Sequence, residues 1–230
     1  MAAKRAHSDT GHLRTAEVPR SRRLEAWLPE RAHVGAVLVP VDAARARALR
    51  AVELVTLREM PMVHLLTNAR RLPALWGSRR RREARDEEEL RPSVYPDRPL
   101  FEWLLSRPGV VLLEKSPDEV VVGVVGKLRG AFGLDPGDAR TPTEFRAFAT
   151  PKHDKLVLSI RTVPSDSRSL LVLEHGIAPA RAGERPRTRR FGPALNRVFA
   201  FVGRSLLHAA KRRAERGRPT PFDETSQAPA

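Results

Sequence analysis

Seven histidines and no cysteine bound the chemistry open to this 230-residue chain. Without Cys there is no disulfide, no thiolate metal site and no Cys nucleophile. His7 and His12 fall in a polar N-terminal stretch, and His33, His64, His153, His175 and His208 are scattered. No pair has HExxH spacing and none has a carboxylate at a ligand interval, so no metal site is expected. His175 stands out by its context. It alternates with Leu171, Leu173 and Ile177 on one face of a strand. If that face lines a cavity, the imidazole could orient a carbonyl or exchange a proton near neutral pH. A core histidine held by one hydrogen bond leaves the same pattern. Glu174 points to the other face, and a one-residue shift of register swaps the two. No G-x-S-x-G, P-loop or dinucleotide fingerprint is present. Gly123-Val124-Val125-Gly126 has two glycines inside a strand and reads as a bulge or bend. No cofactor is expected.

Charge is the second resource. The net charge is +15, with 42 basic residues against 27 acidic ones. Arg181, Arg185, Arg187, Arg189 and Arg190 concentrate it between the last strand and a C-terminal helix. A solvated loop in an Arg-biased sequence explains such a cluster. Phosphates of RNA, DNA or anionic lipid are the functional alternative. The aromatic residues are not interleaved with the basic ones as in single-strand binders. No apolar run is long enough to span a bilayer. No apolar segment follows Lys4 and Arg5, and Ser21-Arg22-Arg23-Leu24 runs into Glu25, Glu30 and Arg31 rather than a signal core. A cytoplasmic location is expected, and the oligomeric state is left open.

The elements that must position these groups follow from periodicity. Residues 1–30 read as a disordered basic arm and 217–230 as a disordered tail, with one domain over 31–216. Val34 to Val41 is the first strand, and Asp42 is the expected cap of a helix from Ala43 to Leu54. A second helix is expected from Pro61 to about Leu72. Residues 79–99 form a charged, Pro-rich insert, and Leu100 to Leu105 a helical turn or irregular strand. Strands are expected at Val110–Lys115, Glu119–Leu128, Thr143–Ala149, Lys155–Val163 and Ser169–Ala178. From Pro193 to Glu215, Leu195, Val198, Phe199, Val202 and Leu206 fall within an arc of roughly 100°, the stripe of an amphipathic helix. Gly192-Pro193 is its expected start. Strands in succession with helices at both ends give an α+β class, a curved antiparallel sheet wrapped around a long C-terminal helix.

Several segments in that order resemble one family. Gly123 to Leu128 resembles a "glvGrfw" strand, Thr143 to Phe148 an "eeFraF" element and Leu170 to Ile177 an "lsTeTrv" strand. Lys155 to Val163 resembles the strand before the last, and Phe201 to Glu215 the end of the C-terminal helix. The chain over about 33–215 thus resembles a bacterial branch of the SRPBCC superfamily, the START and birch-pollen-allergen-like proteins of helix-grip fold. His175 replaces the usual Thr, and Gly192-Pro193 interrupts a usually continuous helix. The resemblance implies a hydrophobic cavity between sheet and C-terminal helix for a lipid- or polyketide-like ligand. Leu156, Leu158, Ile160, Leu171, Leu173, His175, Val198, Val202 and Leu206 are the expected lining. Non-catalytic binding or carriage is the first functional expectation. A cyclase- or dehydratase-type reaction using His175 is the second, and contact with nucleic acid or an anionic membrane through Arg181–Arg190 the third.

Overall fold

A computed structural model describes residues 20–29, 33–64, 97–129, 133–165, 168–180 and 185–216. Helix α1 (Arg22–Trp27) comes first, followed by strand β1 (His33–Val41) and helix α2 (Arg45–Leu54). A 3-10 turn at Leu57–Glu59 and helix α3 (Leu100–Leu105) lead into β2 (Val110–Lys115), β3 (Glu119–Arg129) and β4 (Gly133–Pro136). Helix α4 (Pro142–Ala147), β5 (Asp154–Ser165), β6 (Arg168–Pro179) and helix α5 (Arg185–Glu215) complete the order. The fold is mixed α+β. Its six strands form one curved, open antiparallel sheet in the order β1-β6-β5-β3-β2, with β4 paired to β3.

The strand sequences explain this sheet. Runs rich in Val and Leu suit a pleated surface covered on both sides. The inner face carries Val37, Val39, Val120, Val122, Val124, Ile160, Leu171 and Leu173, packed against α5 and α2. The outer face carries Val111, Leu113, Val121, Val125, Val157 and Ala178, covered by Leu24 and Leu28 and by Phe145 of α4. Pro40 is accommodated because β1 is an edge strand, where a missing N–H costs no ladder bond.

Five expectations change. Residues 22–27, expected within a disordered arm, form α1. Ser21 caps it, its Oγ accepting from the Leu24 amide at 3.1 Å. Residues 143–149, expected as a strand, belong mainly to α4. Thr141 and Glu144 form a capping box around Pro142, and the local start signal outweighs the β preference of Phe145 and Phe148. Phe145 fits over β3 because Gly123 has no Cβ, which would come within 2.6 Å of the ring. Gly123 is therefore a seat for an aromatic ring, and the β3–β5 register runs through it unbroken. Helix α2 begins at Arg45 after Ala44, without a side-chain cap; the Asp42 amide instead donates to Glu215 Oε1 at 2.8 Å. Helix α5 begins at Arg185 and passes through Gly192-Pro193. Proline removes one backbone donor there, and the Arg and Ala residues on either side favour helix. Residues 61–64 are helical as expected; the rest of that helix, most of the insert and the tail lie outside the described residues.

Candidate functional site

The inner face of the sheet and the stripe of α5 that meets it hold the expected ligand residues, and they divide into two groups. Ile160, Leu171, Leu173 and Leu206 are core positions, buried with Leu207, Ala209, Ala210 and Ala214. Leu156, Leu158, Val198 and Val202 are only half-buried. The register brings several of them together. Leu158 lies opposite His175 on the β5–β6 ladder, Ile160 opposite Leu173, and Leu156 opposite Ile177.

Close approach of helix to sheet accounts for the first group. A Cβ on Gly203 would meet Leu173 and Val37 side chains at 3.4 Å, so α5 lies almost directly on β6 and β1 at this point. Ala209, Ala210 and Ala214 continue the seam. No ligand-sized space remains between such small residues and the strands. The large apolar residues expected to form the stripe thus share it with a run of small ones.

His175 is 1% exposed. Its Nε2 lies 2.6 Å from Asn196 Oδ1, a contact that makes Nε2 the donor. The Phe199 ring lies over it, centroids 4.8 Å apart and planes 33° apart. Gly35 is paired with His175 across β1–β6, and a Cβ there would fall 2.6 Å from Asn196 Oδ1. The glycine is the seat of the His–Asn pair. Neither Gly35 nor Asn196 was expected in the site. A lone Gly in a Val-rich strand and a lone amide in the helical stripe were the available signals.

The outer face holds a second polar cluster. Glu174 Oε2 accepts from the Ser21 amide at 2.9 Å and from Arg161 at 3.1 and 3.3 Å. Glu119 accepts from the Ser21 and Ser159 hydroxyls. Arg23 reaches Glu114 at 3.3 Å, and Trp27 Nε1 donates to the same carboxylate at 2.7 Å. Both buried carboxylates are satisfied from within the chain, so the cluster clamps α1 onto the sheet. Beside it, Trp27, Pro142, Thr143, Arg146 and Ala147 border a shallow recess of about 280 Å³.

Arg181 lies outside the described residues. Arg185, Arg187, Arg189 and Arg190 belong to the first turns of α5 rather than to a connecting loop. At its other end α5 is tied to the turn after α2, Arg213 pairing with Glu59 at 3.0 Å. Burial alone would raise the Glu59 carboxyl; hydrogen bonds from Arg213 and Thr56 outweigh it and hold the group below its ordinary value. Burial lowers Lys155, whose Nζ lies 5.5 Å from the Phe145 ring centre.

Among the described residues no three His, Asp or Glu side chains are grouped to hold a metal. Among them, no helix is long and apolar enough to cross a membrane. No family model matches the chain, and no match is found among curated proteins or solved structures.

Proposed function

We propose that this chain is a helix-grip protein of the SRPBCC type that binds or carries a small apolar molecule without transforming it. The molecule enters at the N-terminal end of the α5–sheet interface, between Leu156 and Leu158 of β5 and Val198 and Val202 of α5. One observation carries this reading: Leu156 and Val202 pack against the inner core yet remain half-buried, as do Leu158 and Val198 beside them, while their neighbours toward the C-terminal end of α5 are sealed. Apolar surface left partly open inside an otherwise closed core is what an apolar ligand covers with gain.

A second reading, acid–base chemistry of cyclase or dehydratase type, rests on the His175–Asn196 hydrogen bond, which fixes the imidazole tautomer. Phe199 over the ring and the near-complete burial of His175 favour a positioning role instead. Native mass spectrometry of protein purified from its own host, followed by solvent extraction, tests the binder. A defined apolar molecule at near one-to-one ratio is the expected result. A bare protein mass that stays bare after incubation with a fatty acid and an aromatic polyketide contradicts it. Conversion of either compound on incubation, abolished in His175→Gln, would move the assignment to the enzyme.

A further inference from the structure

The side of α5 that faces away from the sheet has its own pattern. At about 100° per residue, Arg197, Phe201, Arg204, His208 and Arg212 fall within an arc of roughly 80°, and they extend over about 22 Å of helix. All five are exposed. Phe201 is 38% exposed between Arg197 and Arg204 and, with Met62, is one of two large apolar side chains exposed among the described residues. From Arg185 to Ala214 the helix contains no Asp or Glu. The nearest carboxylates are already engaged, Glu215 by Lys211 at 3.1 Å and Glu59 by Arg213. The stripe holds three arginines and His208, with Phe201 between Arg197 and Arg204, and its one carboxylate, Glu215 at the C-terminal end, is paired with Lys211.

We infer that this face docks on an anionic phospholipid bilayer. The arrangement favours a bilayer over nucleic acid on two grounds. Side chains along one tangent of a straight helix meet a flat surface together, whereas a duplex, itself a cylinder, needs a groove or a concave patch to engage a comparable number. Phe201 has nothing to do on a phosphate backbone, but it partitions readily into the headgroup–acyl boundary, with arginines on either side reaching lipid phosphates. The apolar side of α5 is consumed by the sheet, so contact is superficial, electrostatic and reversible. The inference does not depend on what the inner face binds, because that face lies on the opposite side of the helix.

Co-sedimentation of the full chain with mixed phosphatidylglycerol–phosphatidylcholine vesicles tests it. Binding is expected to the charged vesicles, absent with pure phosphatidylcholine and weakened by salt. Arg197→Ala and Arg204→Ala should each lower the partition coefficient about fivefold. Phe201→Ser should lower it by at least about fivefold, and Phe201→Trp should retain binding with a blue-shifted emission on the vesicles. All three positions are exposed, so folding of the four variants is checked by an unchanged melting curve. Equal binding to neutral vesicles, partition unaffected by these substitutions, no blue shift from Phe201→Trp, or preferential retention on a short DNA duplex in competition would each overturn the inference.

Discussion

The two ends of the α5–sheet interface are built from different materials. Toward the C-terminus, Gly203, Ala209, Ala210 and Ala214 bring the helix down onto β1 and β6, and Leu206 and Leu207 fill what remains. Toward the N-terminus, Asn196, Val198, Phe199 and Val202 are all half-buried, although they face the same sheet. Close packing converts apolar area into stability in the first region, and open apolar area is left in the second. One helix thus closes on the sheet at one end and, in the proposed reading, forms one wall of a binding mouth at the other. Small residues, rather than large hydrophobic ones, decide which end is which.

Substitutions should separate the two ends by their cost. Leu207→Ala, in the closed end, removes a fully buried side chain from a region with no slack and should cost about 3 kcal/mol in denaturant unfolding. Gly35→Ala forces a methyl group onto the His175–Asn196 pair and should cost about 2 kcal/mol, with the His175 imidazole NMR resonances moved. Glu59→Gln, at the far end of α5, should cost about 1 kcal/mol at neutral pH, measured by the same unfolding curves. The sign of its pH dependence is set by the lowered carboxyl. The stabilisation from Glu59 is present above its unfolded value of 4.5 and is lost as the pH falls through the lower folded value. The wild type should therefore lose stability in acid with a steeper slope than Glu59→Gln. Leu158→Ala, in the open end, should cost less than about 1.5 kcal/mol, because its side chain is only half-buried. Gly203→Ala should be stabilising by about 0.5 kcal/mol. The new methyl makes ordinary contact with Leu173 and Val37 while a helical glycine is removed. Equal costs for Leu207→Ala and Leu158→Ala would erase the distinction.

Much of the sheet was legible in the chain. Alternation in Lys155–Val163 and the Val run of Glu119–Leu128 correspond to β5 and β3, and the opposite faces of Glu174 and His175 follow from the two-residue period. Helices were less legible where they depend on small or charged residues. Helix α4 was announced by Thr141-Pro142-Thr143-Glu144, a local signal that two phenylalanines obscured. Helix α1 is too short to show a helical period, and the bonds from Ser21 to Glu119 and Glu174 that help fix it have partners too distant in sequence to be inferred. The same holds for Asn196, whose role appears only when β6 brings His175 beneath it. Apolar periodicity locates the stripe of α5 but not its depth, because depth is set by glycine and alanine, which periodicity weighs lightly.

If, as proposed, the open end of the interface is a binding mouth, it takes up apolar molecules in general. Titration of wild type and Leu158→Trp with Nile red, a neutral apolar dye, tests it most directly, since a neutral probe ignores the basic surface. Saturable, blue-shifted emission at one site is expected in the wild type, lost in Leu158→Trp while the unfolding midpoint changes little. No saturable binding by the wild type, or binding that Leu158→Trp leaves intact, would contradict it.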